Sequence, residues 1–261
     1  MEFKLLGTLQ LTHAGRNCTP TAPKVRQVLG LLLSKHGQIV ELDSIIRDLW
    51  EEEPPRSAVT TTQTYIYQLR KIFAQEMSED AAERLLETVS PGYVLNVRAE
   101  DLDSQLFARH VAQGRLLASA GELHKGEAHL RQAMALWRGP VLSNVEHGPV
   151  LRGWRVYLEE LRIGAVELLV RFGMDLGRER ELLPELNELV LEHPYNEWFH
   201  MQLITALGRV GRRGEALRAY DTLRRLLANE LGLDPSPEAQ RLQRAMLAGE
   251  PMLVAAAERA S

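Results

Sequence analysis

The segment from Arg56 to Phe73, RSAVTTTQTYIYQLRKIF, gathers side chains that could bind a nucleic acid. At about 100° per residue around a helix, its hydroxyl, phenol, amide and ammonium groups fall on one arc. That arc consists of Ser57, Thr60, Thr61, Thr64, Tyr67, Gln68 and Lys71. Such groups form hydrogen bonds with base edges and phosphates. The other interpretation, which this segment alone leaves open, is an ordinary solvated helix face.

The opposite side of the same predicted helix is apolar, which indicates how the helix is held. Val59, Thr62, Ile66, Leu69 and Phe73 recur at helical spacing, the pattern of a helix seated on a core. Thr62 is the polar member of this stripe, and its hydroxyl can bond to a carbonyl of the preceding turn.

Net charge argues against a nucleic-acid partner, whereas the distribution of charge argues for one. The chain carries 31 Lys and Arg against 35 Asp and Glu, and residues 1–97 carry ten against twelve. Eleven of those twelve acids lie in two clusters, Glu41 to Glu53 and Glu76 to Glu87, and the stretch from Pro54 to Gln75 has none. The helix face can therefore be basic while its edges are acidic. We expect modest non-specific affinity and a clear salt dependence.

The flanking elements predict a winged helix-turn-helix around this segment. Upstream, a helix over Pro23 to His36 stops at Gly37, and a shorter one runs from Leu42 to Trp50. Downstream, Leu85 to Val97 alternates around the turn Ser90-Pro91-Gly92 as a β-hairpin does. The first dozen residues alternate as a half-buried strand does, so we expect a sheet to precede the helices. Three helices and a wing form a helix-turn-helix variant.

Beyond Val97 the sequence is helical, beginning near Leu102, and it repeats itself. Gly177, Arg178, Glu181, Leu183 and Leu189 recur 34 residues later as Gly211, Arg212, Glu215, Leu217 and Leu223. That period is the tetratricopeptide one, and stacked helix pairs of this kind build a concave surface for partners. A weaker copy, Gly126-Glu127-Ala128, lies in a helix pair over residues 103–137. The predicted fold class is mainly α with a small β component, with a winged-helix domain over 1–97 and an all-α, tetratricopeptide-like domain over 98–261.

Other chemistries leave no pattern in the sequence. Cys18 is the lone cysteine, and the chain has neither a His-Glu-x-x-His nor a Gly-x-x-x-x-Gly-Lys string. We therefore expect no enzyme activity, no cofactor and no metal. No apolar run approaches the roughly 20 residues that cross a bilayer, and no signal-peptide pattern opens the chain. We expect a cytoplasmic, nucleoid-associated bacterial protein that does not contact membranes.

Several short strings resemble a known family. The order of elements over residues 1–97 resembles the OmpR/PhoB-type winged helix. The strings Gln63-Thr64-Tyr65, Leu69-Arg70-Lys71 and Gly92-Tyr93 are similar to those of the Streptomyces antibiotic regulatory protein (SARP) family. Leu136 to Pro140 and Glu230 to Glu238 resemble the bacterial transcriptional activation domain of the same family. The resemblance implies an activator of antibiotic biosynthesis genes that binds direct repeats in double-stranded DNA, as a side-by-side dimer, and recruits RNA polymerase holoenzyme.

The resemblance also implies roles for individual residues. The expected base or near-base contacts are Thr60, Thr61, Thr64, Tyr67 and Gln68. The expected phosphate or backbone contacts are Arg56, Arg70, Lys71, Lys24 and Arg26, with the hairpin tip from Pro91 to Tyr93 near the minor groove. Each has an alternative: Tyr93 as a packing residue of the wing, Arg70 as the partner of an acid inside the domain, and the threonines as solvated hydroxyls.

The loop from Glu51 to Pro55 matches in position the segment that contacts polymerase in OmpR-type activators, so Glu51, Glu52 and Glu53 are the expected contacts. A solvated turn is the alternative. Thr62 stands where the family usually has Leu, so the helix is expected to be less tightly seated. No receiver domain fits before Phe3, and we do not expect control by phosphotransfer. The competing hypothesis for the whole protein is a helical-repeat adaptor whose winged helix binds protein, which a DNA-binding assay distinguishes.

Overall fold

The computed structural model describes residues 1–249, and the chain folds as two compact units, residues 1–165 and residues from 166 onward. Helices dominate, and two three-stranded sheets lie in the first unit, so the predicted fold class is confirmed. Residues 250–261, the end of the predicted second domain, lie outside the described residues. Within 1–249, no helix combines the length and the apolar character needed to span a bilayer. The domain boundary expected after residue 97 stays a prediction.

The predicted N-terminal sheet is present and has three antiparallel strands. They are β1 over Glu2–Lys4, β2 over Gln10–His13 and β3 over Arg16–Asn17, with Phe3 opposite Leu11. Between β1 and β2 the chain turns at Gly7, whose φ of 142° lies in the region that favours glycine. A Cβ at Gly7 would also lie 3.1 Å from the Cβ of Arg138. The alternation over the first dozen residues therefore comes from two strands and a buried turn.

Three helices follow as predicted. They are α1 over Pro23–Ser34, α2 over Leu42–Trp50 and α3 over Ala58–Ala74, and a short strand β4 over Val40–Glu41 precedes α2. The chain leaves α1 through Gly37, whose φ is 69°. The apolar faces of α1 and α2 are buried at Val25, Val28, Leu29, Leu32, Ile45 and Leu49. This core is the platform on which α3 lies.

A short helix that the sequence pattern does not reveal, α4 over Glu79–Leu85, connects α3 to the hairpin. The Ser78 hydroxyl caps it by accepting from the Ala81 backbone N–H at 3.3 Å. The predicted hairpin is confirmed as β5 over Leu86–Val89 and β6 over Gly92–Leu95, and the sheet order is β4-β6-β5. A Cβ at Gly92 would lie 2.0 Å from the Val40 carbonyl oxygen, so the β4–β6 pairing requires glycine there.

The first unit extends well past the wing. A short 3-10 turn over Ala99–Asp101 leads to the predicted helix pair, α5 over Asp103–Ser119 and α6 over Leu123–Ala135, and α7 covers Pro149–Asp175. The connection between α6 and α7 lies against the N-terminal residues, where the Arg138 N–H donates to the Leu6 carbonyl at 2.8 Å and the Leu142 N–H to the Leu5 carbonyl at 3.0 Å. Leu142 and Val145 of this connection are buried. It therefore completes the core beneath the winged helix.

Two buried carboxylates fasten these parts together. Asp103, at the start of α5, accepts from the Leu5 N–H at 2.8 and 2.9 Å, from the Leu6 N–H at 3.1 Å and from Arg138 Nη2 at 2.8 Å. Asp48 of α2 accepts from the first turn of α7 at 2.9 and 3.3 Å. Burial raises the pKa of both carboxyl groups above the usual value, although the surrounding donors oppose the shift.

The second unit is a stack of helices, α8 over Glu179–Glu192, α9 over Glu197–Arg209, α10 over Arg213–Leu231 and α11 over Pro237–Ala248, together with the end of α7. Its repeat is visible in the backbone, because Gly177 and Gly211 have φ angles of 68° and 83° just before α8 and α10. Leu189 and its equivalent Leu223 are both buried. The 34-residue period thus corresponds to successive helix pairs.

Candidate nucleic-acid interface

The buried face of α3 fixes which of its residues point outward. Ala58, Thr62, Ile66, Leu69 and Phe73 are at most 7% exposed. Val59, predicted to be buried, is 47% exposed, so that part of the prediction is wrong. Val59 lies in the first turn of α3, where its predecessor Ala58 is buried instead.

Thr62 is fully buried, and its hydroxyl has no hydrogen-bond partner among the described residues. The bond to the preceding turn, expected from the sequence, is absent from that set. A buried, unpaired hydroxyl costs free energy. The unpaired hydroxyl of Thr62 therefore opposes the seating of α3, and the looser seating expected from the sequence stays a prediction.

The outward face of α3 has the predicted polar arc. Thr60, Thr64, Tyr67, Gln68 and Lys71 are exposed, and Tyr67 is 66% exposed. The Thr64 hydroxyl donates to the Thr60 carbonyl at 2.9 Å, so its remaining capacity toward a ligand is as an acceptor. Half-buried Thr61 donates to the Ser57 hydroxyl at 3.3 Å. The arc thus offers threonine acceptors, an amide with both functions and a protruding phenol.

Two of the predicted cations have no ion-pair partner among residues 1–249, and no acid interrupts this face of α3. Arg56 and Lys71 are exposed near the two ends of α3. Glu76, just beyond the helix, forms an ion pair with Arg16 at 2.6 Å, which reduces its effect on the face. The field at α3 therefore favours an anionic ligand although the chain is acidic.

Lys24 and Arg26, at the start of α1, are engaged within the protein. Lys24 Nζ donates to the Leu49 carbonyl at 3.0 Å and to Glu146 at 2.6 Å. Arg26 Nη1 donates to the Thr21 carbonyl at 3.2 Å. Both side chains hold neighbouring segments in place, so a DNA backbone would compete with contacts that already exist.

Arg70 is also engaged, but by the wing. Its Nε and Nη2 donate to the Leu86 carbonyl at 3.0 and 2.8 Å, and Nη2 donates to the Thr88 hydroxyl at 2.7 Å. The alternative predicted from the sequence, that Arg70 pairs with an acid, is therefore wrong. The acceptors are a carbonyl and a hydroxyl of β5. The guanidinium joins α3 to the hairpin.

A shallow groove of about 200 Å³ runs beside the exposed arc. Gln68 and Lys71 of α3 and Gln75, its C-cap, form one wall, and Thr21 with the start of α1 forms the other. Ala22, the N-cap of α1, lines the groove, so the groove lies at the positive end of that helix. This arrangement suits a phosphate group that approaches α3 from the side.

The hairpin tip is divided between exposed and buried residues. Pro91 is exposed, while its carbonyl accepts from the Leu42 N–H at 3.2 Å. Tyr93 is 8% exposed, which agrees with the alternative that it packs within the wing. The part of the tip that can approach a groove is therefore Ser90 and Pro91.

The loop after α2 presents its three acids to solvent. Glu51, Glu52 and Glu53 are exposed, and Glu51 has a positive φ of 53°. Arg152 of α7 forms an ion pair with Glu51 at 2.6 Å. The loop is thus accessible and held at one end. Among residues 1–249 no group of three or more His, Cys, Asp or Glu side chains could hold a metal ion.

Comparison with known proteins shows which family this chain belongs to. Residues 15–95 match the family model "Transcriptional regulatory protein, C terminal", and residues 102–247 match "Bacterial transcriptional activator domain". The regulatory protein DnrI of Streptomyces peucetius is 39% identical over 254 residues, which make up 96% of this chain and 93% of DnrI. The chain belongs to the SARP family.

Two further relatives match nearly the whole of this chain. The transcriptional regulator RedD of Streptomyces coelicolor is 31% identical over 97% of this chain and 72% of RedD. A solved structure of Mycobacterium tuberculosis EmbR in complex with a low affinity phosphopeptide matches with a TM-score of 0.87 and 33% identity, over 96% of this chain and 65% of that chain. The predicted winged helix followed by a helical domain is confirmed, and this SARP protein is a transcriptional regulator of a non-enzymatic family with an OmpR/PhoB-type DNA-binding domain.

Within this SARP protein, the structure adds two residues to the candidate surface. Thr21 and Gln75 line the groove beside Gln68 and Lys71. Gln75 continues the outward face of α3 past the predicted end of the helix. Thr21 lies about 50 residues earlier in a loop, and no sequence pattern joins it to α3.

Proposed function

We propose that this protein is a pathway-specific activator of antibiotic or other secondary-metabolite biosynthesis genes. In this proposal it binds direct repeats beside a promoter in the bacterial cytoplasm and recruits RNA polymerase. The observation that carries the proposal is the exposed, acid-free arc of α3, seated on a buried stripe and flanked by Arg56 and Lys71. Membership of the SARP family supports the same reading.

In the proposed complex, α3 enters the major groove and its arc reads base edges. Gln68 has the amide that pairs with adenine through two hydrogen bonds, and the threonine oxygens can accept from adenine or cytosine amino groups. Tyr67 protrudes far enough to contact a thymine methyl or a phosphate. Thr60 and Thr61 lie one turn earlier and extend the footprint toward the start of α3.

Phosphate contacts position the helix in this proposal. Lys71 and Arg56 are the strongest candidates because both are exposed. Lys24 and Arg26 are weaker candidates because they are hydrogen-bonded within the protein. Each neutralised phosphate lowers the logarithm of the binding constant by about 0.9 per tenfold rise in salt.

Activation would come from the loop that contains Glu51, Glu52 and Glu53, whose three exposed acids suit a basic polymerase surface. Direct repeats about 11 base pairs apart, near one helical turn, would place two monomers side by side on one face of the DNA. The proposed polymerase contact rests on the family resemblance and on the exposure of the loop. The direct repeats rest on the family resemblance alone.

A mobility-shift titration on the protein's own promoter region, at two salt concentrations, tests the proposal. We expect a specific complex that Thr64→Ala weakens and whose salt dependence Lys71→Gln reduces by about one phosphate. Run-off transcription with Glu51→Gln, Glu52→Gln and Glu53→Gln together should lose activation and keep DNA binding. If no DNA binds at low salt, the adaptor hypothesis replaces the activator.

A further inference from the structure

We propose that Arg70 is a positioning residue that sets the wing strand β5 against the recognition helix α3, and that it makes no phosphate contact. This inference rests on the proposed function, since it concerns how the same surface meets DNA. It assigns to Arg70 a role different from that of its exposed neighbour Lys71.

The contacts of Arg70 span two elements whose relative placement decides the footprint. Its side chain leaves α3 and places two donors on the carbonyl of Leu86, the first residue of β5. A third bond reaches the hydroxyl of Thr88, two residues further toward the hairpin tip. The α3 end of the link is fixed because Leu69 is fully buried, and the β5 end because Leu86 is fully buried.

The hydrogen-bond geometry leaves Arg70 poorly suited to a phosphate. A guanidinium grips an oxyanion through one of two edges, Nε with Nη2 or Nη1 with Nη2. In Arg70 both hydrogens of Nη2 are used, one by the Leu86 carbonyl and one by the Thr88 hydroxyl. Neither edge is therefore free for a two-point grip, and such a grip would release β5, which favours Lys71 over Arg70 as the phosphate contact.

A positioning role predicts that geometry matters and charge alone does not. Lys keeps the charge of Arg70 but lacks the planar fork, so it cannot reproduce the bonds to Leu86 and Thr88. Without them, the orientation of the wing against α3 is less restricted and must be fixed when DNA binds, so the binding constant falls. Loss of a charge-assisted bond is worth about 1.5 kcal/mol, which corresponds to about tenfold in affinity.

The test measures affinity and salt dependence for Arg70→Lys, Arg70→Gln, Thr88→Val and the control Lys71→Gln, on a duplex from the protein's own promoter region. We expect Arg70→Lys and Arg70→Gln both to bind about tenfold more weakly than the wild type and both to keep the wild-type salt slope. Lys71→Gln should instead lose about 0.9 of slope. Binding by Arg70→Lys like the wild type, with a reduced slope for Arg70→Gln, would mean a phosphate contact and overturn the inference.

Thr88→Val covers the case in which the Arg70 variants fold poorly, because Thr88 is exposed and its replacement leaves the Leu86 contact intact. We expect a drop of about threefold that disappears in the Arg70→Gln background, since residues in one network do not act additively. Full additivity, or wild-type affinity for Thr88→Val, would contradict the link. Failure of the wild type to bind DNA, or an unchanged slope for Lys71→Gln, would instead count against the proposed function.

Discussion

Replacing Asp103 with Ala should destabilise the first compact unit by about 3–5 kcal/mol. The carboxylate is the acceptor for two buried backbone N–H groups, those of Leu5 and Leu6, and each unpaired donor costs about 1–3 kcal/mol. The third partner, Arg138, has a side chain that is 31% exposed, so water can solvate it after the change and its share is small. The backbone donors therefore dominate the loss.

Urea unfolding followed by far-ultraviolet circular dichroism measures this change, and amide hydrogen exchange at Leu5 and Leu6 localises it. We expect both amides to exchange much faster in Asp103→Ala than in the wild type. Asp101→Ala is a matched control, because Asp101 pairs with an exposed Arg98 at 2.9 Å and should contribute less than about 1 kcal/mol. A loss of unfolding free energy below about 1 kcal/mol in Asp103→Ala, with the Leu5 and Leu6 amides still protected, would show that the Asp103 carboxylate does not hold these two amides.

Three further changes test other contacts. Thr62→Val should stabilise the protein by about 1 kcal/mol in urea unfolding, because it removes a buried unpaired hydroxyl at nearly constant volume; a loss of stability would show that the hydroxyl is satisfied. Gly92→Ala should separate β4 from β6 and lower the melting temperature, since its Cβ meets the Val40 carbonyl; an unchanged temperature would contradict that. Burial raises the pKa of Asp48 above 3.8, so the native state holds its proton more tightly than the unfolded chain. The stability of the wild type relative to Asp48→Asn should therefore fall as the pH rises from 3.8, and a relative stability that rises over the same range would be the wrong sign.

Elements with a regular apolar period could be predicted from the sequence. The stripe through Ile66, Leu69 and Phe73 predicts α3 because burial of a helix face depends on spacing along one segment. The recurrence of Gly177 as Gly211 predicts the helix pairs because a fixed period of 34 residues can be read directly from the sequence. The exposed arc of α3 follows directly, since the residues opposite a buried stripe must face solvent.

Features that depend on distant partners could not be predicted in this way. The turn at Gly7 is fixed by Asp103 and Arg138, which lie about 100 and 130 residues further along the chain, so local alternation does not reveal where the turn falls. Arg70 and Lys24 look like free cations in the sequence because their acceptors include backbone carbonyls of other elements. A carbonyl is present at every residue and leaves no trace in composition or spacing.

A panel of operator duplexes tests whether the exposed arc of α3 reads base pairs. Each duplex carries one changed base pair within a footprint mapped on the promoter region, and wild type, Gln68→Ala, Thr64→Ala and Lys71→Ala are titrated against all of them. We expect Gln68→Ala to lose about 1–3 kcal/mol of discrimination at one position and to keep it elsewhere, and Lys71→Ala to weaken all duplexes alike. Wild-type preferences at every position in both Gln68→Ala and Thr64→Ala would show that the arc does not read base pairs.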